Sequence, residues 1–431
     1  MLCKNIGRDA QGNLTFAGQS VAALAEQYGT PLYLMDEDRI RENCRLYLSV
    51  MREAFGEESY PLYASKAACF KRIYTVLREE GMAADFVSLG EIHTAVAAGF
   101  PMEKTCFHGN NKTDEEIAYA MDHGVGCFIV DSAWELDAVE KAAEKRSAVQ
   151  DILLRLTPGI DPHTYEAIAT GKVDSKFGTA IETGQAMPLV QAALGRKHVR
   201  LLGYHCHVGS QVFDEDGTVY HDAADIMLRF AKDVQRELGF TASVLNLGGG
   251  YGVRYVESDP PVDIAANLRK LASHIRAVCQ SLDFPMPQVR LEPGRSIVAD
   301  AGMTLYHVGT VKQITGYKNY VSIDGGMTDN PRYALYGAKY TVLHAARTDA
   351  DFRCDLVGRC CESGDVIQPD ILLPKPQRGD VIAVCTTGAY NYSMASNYNR
   401  VPRPPIVMLH GGTSEIAVRR ETPDDLIALD Q

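Results

Sequence analysis

Nowhere in the sequence do about 18 or more apolar residues run together, the length a membrane-spanning helix requires. The opening Met-Leu-Cys-Lys-Asn-Ile-Gly-Arg-Asp holds no apolar stretch of signal-peptide length. The expectation is a cytoplasmic protein with no membrane contact. An excess of positive charge is also missing. Its 43 basic and 55 acidic residues leave a formal net charge of -12, which disfavours non-specific attraction to nucleic acid or anionic lipid. Paired zinc-ligand spacings are absent. The 11 cysteines are scattered from Cys3 to Cys385, and in a large intracellular chain that argues reduced thiols. No low-complexity linker divides the chain. What is left is a folded protein with a small-molecule partner. At 431 residues and 46% hydrophobic composition it buries a large core, and single cores rarely grow past roughly 250–300 residues, so more than one domain is expected.

From about Tyr60 to Glu292 one phrase recurs: a short β-branched or aromatic run, then an amphipathic helical stretch. The expected strands are Pro61–Ala64, Ala84–Val87, Thr105–His108, Cys127–Val130, Ile152–Leu156, Leu201–Cys206, Val244–Leu247 and Val289–Leu291. Helices such as Ser132–Lys145 and Asp263–Leu282 lie between them. Eight such units predict an α/β fold, a (β/α)8 TIM-like barrel, with a doubly wound open sheet as the alternative. Chemically interesting residues follow these strands directly, at Lys66, Ser88, His207, Gly248–Gly250 and Glu292–Arg295. Strand C-terminal ends form the active face of such barrels. Beyond about Gly302 the pattern changes to short strand-like runs, Leu305–Val308, Tyr320–Ile323, Val381–Val384 and Ile406–Leu409, separated by Gly, Pro and Asp. The expected division is a barrel over 35–301 and a second, mainly β domain over 302–431, joined by the N-terminal 1–34.

Lys66 ends the apolar run Leu62-Tyr63-Ala64-Ser65. Dry walls there would favour a neutral amine, a nucleophile toward an aldehyde such as pyridoxal phosphate. A lysine that merely starts a solvated helix is the plain alternative. Asn246-Leu247-Gly248-Gly249-Gly250-Tyr251-Gly252 follows another strand, and its glycines let backbone N–H groups converge on a phosphate. It lacks the P-loop lysine and the dinucleotide spacing, while Thr170-Gly171-Lys172 lacks the rest of a Walker motif, so nucleotide hydrolysis is disfavoured. Glu292-Pro293-Gly294-Arg295 combines a carboxylate suited to a pyridinium nitrogen with an anion clamp; a structural ion pair is the bland reading.

His205 and His207 alternate on a strand and project to one face, which raises a zinc site, but no further ligand stands near them in the sequence. The expectation is no metal. A flat imidazole against a cofactor ring suits His207, and a satisfied core histidine suits His205. Cys360-Cys361-Glu362-Ser363-Gly364-Asp365 gathers thiols and carboxylates in a loop suited to proton delivery and ammonium recognition. Arg332 and Tyr336 are four apart, so one helical turn presents both to a carboxylate. Solvated turns and a surface arginine are the corresponding plain readings.

Taken in order, these motifs resemble the diaminopimelate decarboxylase family, part of the fold type III pyridoxal-phosphate decarboxylases with the alanine-racemase-like barrel. The resemblance spans nearly the whole chain. It is carried by Tyr63-Ala64-Ser65-Lys66, Phe107-His108-Gly109-Asn110-Asn111-Lys112, Asp174-Ser175-Lys176-Phe177-Gly178, His205-Cys206-His207-Val208-Gly209-Ser210-Gln211, Glu292-Pro293-Gly294-Arg295, Cys361-Glu362-Ser363-Gly364-Asp365, and Thr387-Gly388-Ala389-Tyr390 followed by Asn397-Tyr398-Asn399.

The resemblance implies that Lys66 makes the Schiff-base link to pyridoxal phosphate, His207 stacks on its ring and Glu292 pairs with its nitrogen. Ser210, Gly249, Gly250, Gly294, Arg295 and Tyr390 would hold its phosphate end. It further implies that Arg295, Arg332, Tyr336 and Tyr390 bind the substrate, with the arginines and Tyr336 on the unreacting carboxylate. Glu362 would bind the distal ammonium, and Cys361 would donate the proton. A homodimer that shares its active sites across the interface is implied, as is meso-diaminopimelate turned into L-lysine and carbon dioxide, the last step of lysine biosynthesis. One stretch departs from the pattern, His163-Thr164-Tyr165-Glu166-Ala167, where many relatives carry a His-Thr-His-Pro-Tyr-like run. Competing readings are a related decarboxylase of another basic amino acid or a carrier-bound glutamyl group, a non-catalytic regulatory paralogue, and a metal-dependent hydrolase on His205 and His207. Intact Lys66 and Cys361 argue against the paralogue.

Overall fold

The computed structural model describes residues 2–160, 174–214 and 216–431. His163–Ala167 and Thr170–Lys172, singled out above, lie outside the described residues. The chain forms two compact units, one of Asn43–Gly252 with Val262–Gly294, the other of Met1–Glu42, Val253–Pro261 and Arg295–Gln431.

The first unit is a closed barrel of eight parallel strands: Tyr60–Ala64, Ala83–Phe86, Thr105–Phe107, Cys127–Val130, Gln150–Thr157, Val199–His205, Val244–Asn246 and Gln288–Leu291. Each pairs with the next in sequence, and the eighth returns to the first through Arg290 opposite Tyr60. Closure excludes the doubly wound sheet. Every expected strand falls within two residues of its place, because a strand covered on both faces reads as a continuous apolar run. Inside, Leu62, Cys106, Cys127, Ile129, Leu153 and Val244 pack in one buried cluster.

The helices between strands start where the sequence offers a cap. Ser132 accepts from Glu135 N–H before Ala133–Lys145, and Asp263 from Ala266 N–H before Ile264–Ser281. Thr113 and Glu116 close a reciprocal capping box on Asp114–Asp122. Such caps contribute about 1 kcal/mol each.

The second unit is built on the 13-residue strand Gly302–Ile314. Its first half lies between Leu32–Asp36 and Val381–Cys385, both antiparallel to it, and its second half pairs with Lys318–Ile323. Phe352–Val357 and Val366–Leu373 extend this sheet on one side, and Ile406–His410 and Thr413–Val418 on the other. A three-stranded meander, Ile6–Arg8, Leu14–Phe16 and Gln19–Ser20, belongs to the same unit. Among the described residues, no helix is long and apolar enough to cross a membrane.

Candidate active site

In the barrel the candidate residues gather at the C-terminal ends of the strands. Glu292 follows the last strand and is 8% exposed. Its Oε1 accepts from His108 Nε2 and from Asn246 Nδ2, both at 2.7 Å, and its Oε2 accepts from His205 Nε2 at 3.0 Å. Burial works against a charged carboxylate, but His108 and His205 more than offset it and hold Glu292 well below the usual range. Burial pushes both histidines the other way, His108 to about 4. The centre is therefore a carboxylate held by neutral N–H donors. Asp85, at the end of the second strand, is driven well above its ordinary value by burial and then by the Glu292 charge. The two carboxyls are thus pushed in opposite directions at one end of the barrel.

His108, His205 and Glu292 also bear on the zinc reading raised by the sequence. His205 does have partners with ligand atoms, all within 4.8 Å of one another. They come from strands far apart in sequence, so no local spacing could reveal them. In the structure both Nε2 atoms donate directly to the carboxylate.

His207 is half-buried, with its Nδ1 accepting from Gly249 N–H at 3.2 Å. That bond fixes the tautomer with its proton on Nε2, and burial keeps the ring well below its ordinary value, hence neutral. Gly248–Gly250 are glycines by necessity. A Cβ on Gly249 would stand 2.1 Å from the Glu292 carbonyl oxygen, and one on Gly250 2.3 Å from that of Gly209. The loops after the sixth and seventh strands thus touch, tied by Val212 N–H to the Gly250 carbonyl at 2.9 Å. Ser210 lies on the first of them. Gly294 is equally confined, its absent Cβ 2.9 Å from that of Ala64.

Lys66 departs from the expected dry wall. It occupies a single 3-10 turn, Ser65–Ala67, with both neighbours buried and its own side chain exposed. The strand before it is fully buried from Pro61 to Ala64, so the chain enters the turn from a covered strand. Glu91 follows the second strand, accepts from Val87 N–H at 2.7 Å, and is pushed up to about 7 by burial.

The second unit holds the remaining candidates in two groups. Arg295 and Arg332 stand over the ring of Tyr255, and Arg295 also stands over that of Tyr390. Arg332, 6% exposed, opens the short helix Arg332–Tyr336 and donates Nη1 to the Tyr340 hydroxyl at 2.8 Å. It has no carboxylate partner among the described residues, and a buried cation left uncompensated draws an anion. Tyr336, on the same helix, is half-exposed and makes no side-chain hydrogen bond there. Tyr390 adopts φ +62, a left-handed backbone rare for an aromatic, and faces Arg295 with its ring centre 4.7 Å from the guanidinium carbon.

Cys361 and Glu362 are not in that cluster. They sit exposed on a loop pinned by buried Asp365, whose carboxylate accepts from Met327 N–H at 2.6 Å and Cys360 N–H at 2.7 Å. Glycines at 326 and 358 make room for it, since a Cβ on either would come within 2.5 Å of a carboxylate oxygen. Cys361 N–H donates to Asn399 Oδ1 at 2.8 Å.

Sequence reasoning assigned no part to His108, Asn246, Asp85, Tyr255 or Tyr340. His108 and Asn246 carried a usable signal, each being polar at the end of an apolar strand. The barrel residues suit pyridoxal phosphate on structural grounds: an anionic carboxylate for a ring N–H, glycine loops open to a phosphate, and an accessible amine.

Comparison with known proteins agrees. Residues 37–299 match the family model of the pyridoxal-dependent decarboxylase, pyridoxal binding domain. The diaminopimelate decarboxylase of Bacillus subtilis is 43% identical over 425 residues, covering 98% of this chain and 96% of its own. That of Mycobacterium tuberculosis is 42% identical over 438 residues, covering 99% and 97%. Among solved structures, diaminopimelate decarboxylase from M. jannaschii in co-complex with L-lysine superposes with a TM-score of 0.91 at 34% identity, over 99% of this chain and 98% of that one.

Proposed function

The chain belongs to the diaminopimelate decarboxylase family of pyridoxal-dependent decarboxylases, and from that membership we propose how its own residues divide the work. It is a pyridoxal-phosphate-dependent carboxy-lyase that turns meso-2,6-diaminopimelate into L-lysine and carbon dioxide, the last step of lysine biosynthesis. Bound there, pyridoxal phosphate supplies an electron-withdrawing ring that takes up the electron pair left as carbon dioxide departs.

Glu292 is proposed to keep the ring nitrogen protonated. Its three donors hold the negative charge in place, and Oε2 accepts only one of them, from His205. Lys66 is the amine that holds the cofactor aldehyde, and neutral His207 lies flat on the ring. Ser210, Gly249, Gly250, Gly294, Arg295 and Tyr390 take the phosphate end. Arg295, Arg332, Tyr336 and Tyr390 bind the substrate, with the carboxylate at its unreacting end against the guanidiniums. Glu362 receives the distal ammonium and Cys361 returns a proton to the carbon that lost its carboxylate. In this reading 35–301 carries the cofactor, and 302–431 with 1–34 carries most of the substrate contacts. A cytoplasmic location is part of the proposal and is supported by 11 free cysteines.

The observation that carries the reading is the Glu292 centre, a buried carboxylate kept anionic next to glycine loops. Purified protein with pyridoxal phosphate is expected to release carbon dioxide and lysine from meso-diaminopimelate, and neither from the LL isomer, ornithine or arginine. Turnover of ornithine or arginine in place of the meso isomer would move the substrate to a related basic amino acid.

We further propose a homodimer in which the Cys361–Asp365 loop of each copy completes the other's site. Its support is that Cys361 and Glu362 are solvent-exposed on a rigidly anchored turn. Mixing Lys66→Ala with Cys361→Ala protein under subunit exchange is expected to restore about a quarter of wild-type activity. Random pairing makes half the dimers hybrid, each with one intact site. No recovery, with exchange shown by mass, would put both residues of a site on one chain.

A further inference from the structure

The two arginines assigned to the substrate converge on a residue that has no part in the reading above. Tyr255 lies in Val253–Pro261, the short excursion that belongs to the second unit although barrel sequence flanks it on both sides. It is 5% exposed. Its hydroxyl oxygen accepts from Arg295 Nη1 at 2.6 Å. Both guanidinium carbons stand over its ring, 5.7 Å and 5.0 Å from the centre. Tyr340 meets it edge-on, ring centres 5.3 Å apart, and takes the Arg332 hydrogen bond. The backbone of Tyr255 is fixed too: its N–H donates to Asp259 and its carbonyl accepts from Thr341.

Two cations brought over one ring repel each other. A carboxylate between them would relieve the repulsion but neutralise one of the charges a substrate needs. A phenol offers a lone pair and the negative face of a ring, and leaves both positive charges in place. Burial by itself would make the Tyr255 hydroxyl hold its proton more tightly, and the two guanidiniums more than reverse that. Arg332 is correspondingly raised, with Tyr255 the main partner that offsets its burial.

We propose that Tyr255 is a positioning residue that holds Arg295 and Arg332 as a paired receptor for the unreacting carboxylate of the substrate. The proposal rests on the reading that those arginines bind that carboxylate. It deepens that reading by making affinity for the far end of the substrate depend on a side chain that does not touch it. Because the carboxylate is held alike before and during reaction, the device acts on KM and not on kcat.

The test compares Tyr255→Phe and Arg332→Lys holoenzymes with meso-diaminopimelate as substrate and L-lysine as inhibitor. Tyr255→Phe is expected to raise KM about tenfold, the scale of a lost hydrogen bond to a charged group, with kcat and cofactor content retained. Inhibition by lysine should weaken by the same factor, because the product keeps that carboxylate. Tyr255→His, which restores a ring and an acceptor, should recover most of the lost affinity. The combined Tyr255→Phe and Arg332→Lys change should cost less than the product of the single effects. An unchanged KM in Tyr255→Phe, beside a raised KM in Arg332→Lys, overturns the positioning role. So does a fall in kcat and cofactor content with KM unmoved. If neither variant moves KM, the assignment of the arginines to the substrate carboxylate is what fails.

Discussion

Replacing Lys66 by alanine is expected to abolish turnover, with a fall of at least about 10^4-fold, and to remove the absorbance of the covalently held cofactor while leaving the fold intact. Ser65 and Ala67 are buried and the strand before them is fully covered, whereas Lys66 is exposed. Truncation at Lys66 therefore removes no core contact, and surface changes of this kind stay within about 0.5 kcal/mol of neutral. What is lost is the only amine the reading gives to the cofactor, and a covalent partner is not replaced by a neighbour. Thermal melting and absorbance spectra of the variant test the two halves separately. A Lys66→Ala protein that kept the covalent absorbance would overturn the assignment; one that no longer folded would show a structural role for the lysine.

Glu292→Gln is expected to be the second most damaging change, costing roughly 10^2–10^4-fold in kcat. The amide keeps the shape of the side chain but loses its charge, and its NH2 now faces donors. His108, His205 and Asn246 all present N–H groups to the carboxylate. An amide oxygen serves at most two of them, leaving a buried donor unpaired at about 1–3 kcal/mol. Stability should change with pH in a defined direction. Glu292 is held below its ordinary range when folded, so its contribution is present above the unfolded glutamate value and is lost as pH falls through the folded one. His108 adds to acid sensitivity. Its folded value of about 4 lies below the unfolded one, so the unfolded chain binds more protons as pH drops from about 6.5 toward 4. Denaturant midpoints of wild type should therefore fall between pH 6.5 and 4 through the histidine, and fall further below about pH 4 through the carboxylate, a second drop that Glu292→Gln should lack. Wild-type midpoints flat over this range would show that the centre is not the neutral-donor carboxylate described here.

The barrel was legible because its strands are buried on both faces, so apolar runs mark them without regard to context. Its active face was legible for the same reason, since polar residues stand out where such runs end, as at Lys66, His207 and Glu292. The second unit was less so. Phe352–Val357 and Val366–Leu373 were missed because Arg353, Asp355 and Asp370 interrupt the apolar pattern with ion pairs to Lys318 and to each other, and Pro369 reads as a break. What the sequence hid was convergence. His108 lies 184 positions from the carboxylate it supports and Tyr255 lies 40 from Arg295, separations at which no spacing rule applies. The environment of Lys66 was misjudged because a buried strand was taken to imply a buried lysine. A strand's burial ends with its ladder, and the next side chain is free to leave it.

Leu32–Asp36 lies in the sheet between Gly302–Leu305 and Ile406–Leu409, and this arrangement governs how the protein is made. At translation speeds of about 5–20 residues per second, that segment leaves the ribosome on the order of tens of seconds before its second neighbour exists. Throughout that interval the nascent chain carries Leu-Tyr-Leu-Met with at least one side unpaired, an apolar edge of the kind that recruits other strands. The barrel has everything it needs to close in the meantime, so the pairing of Leu32–Asp36 with Ile406–Leu409 comes late, after the barrel strands have all been made. A chain cut before Ile406 should therefore keep Leu32–Asp36 open on one side and precipitate, which a solubility assay of the truncated protein checks.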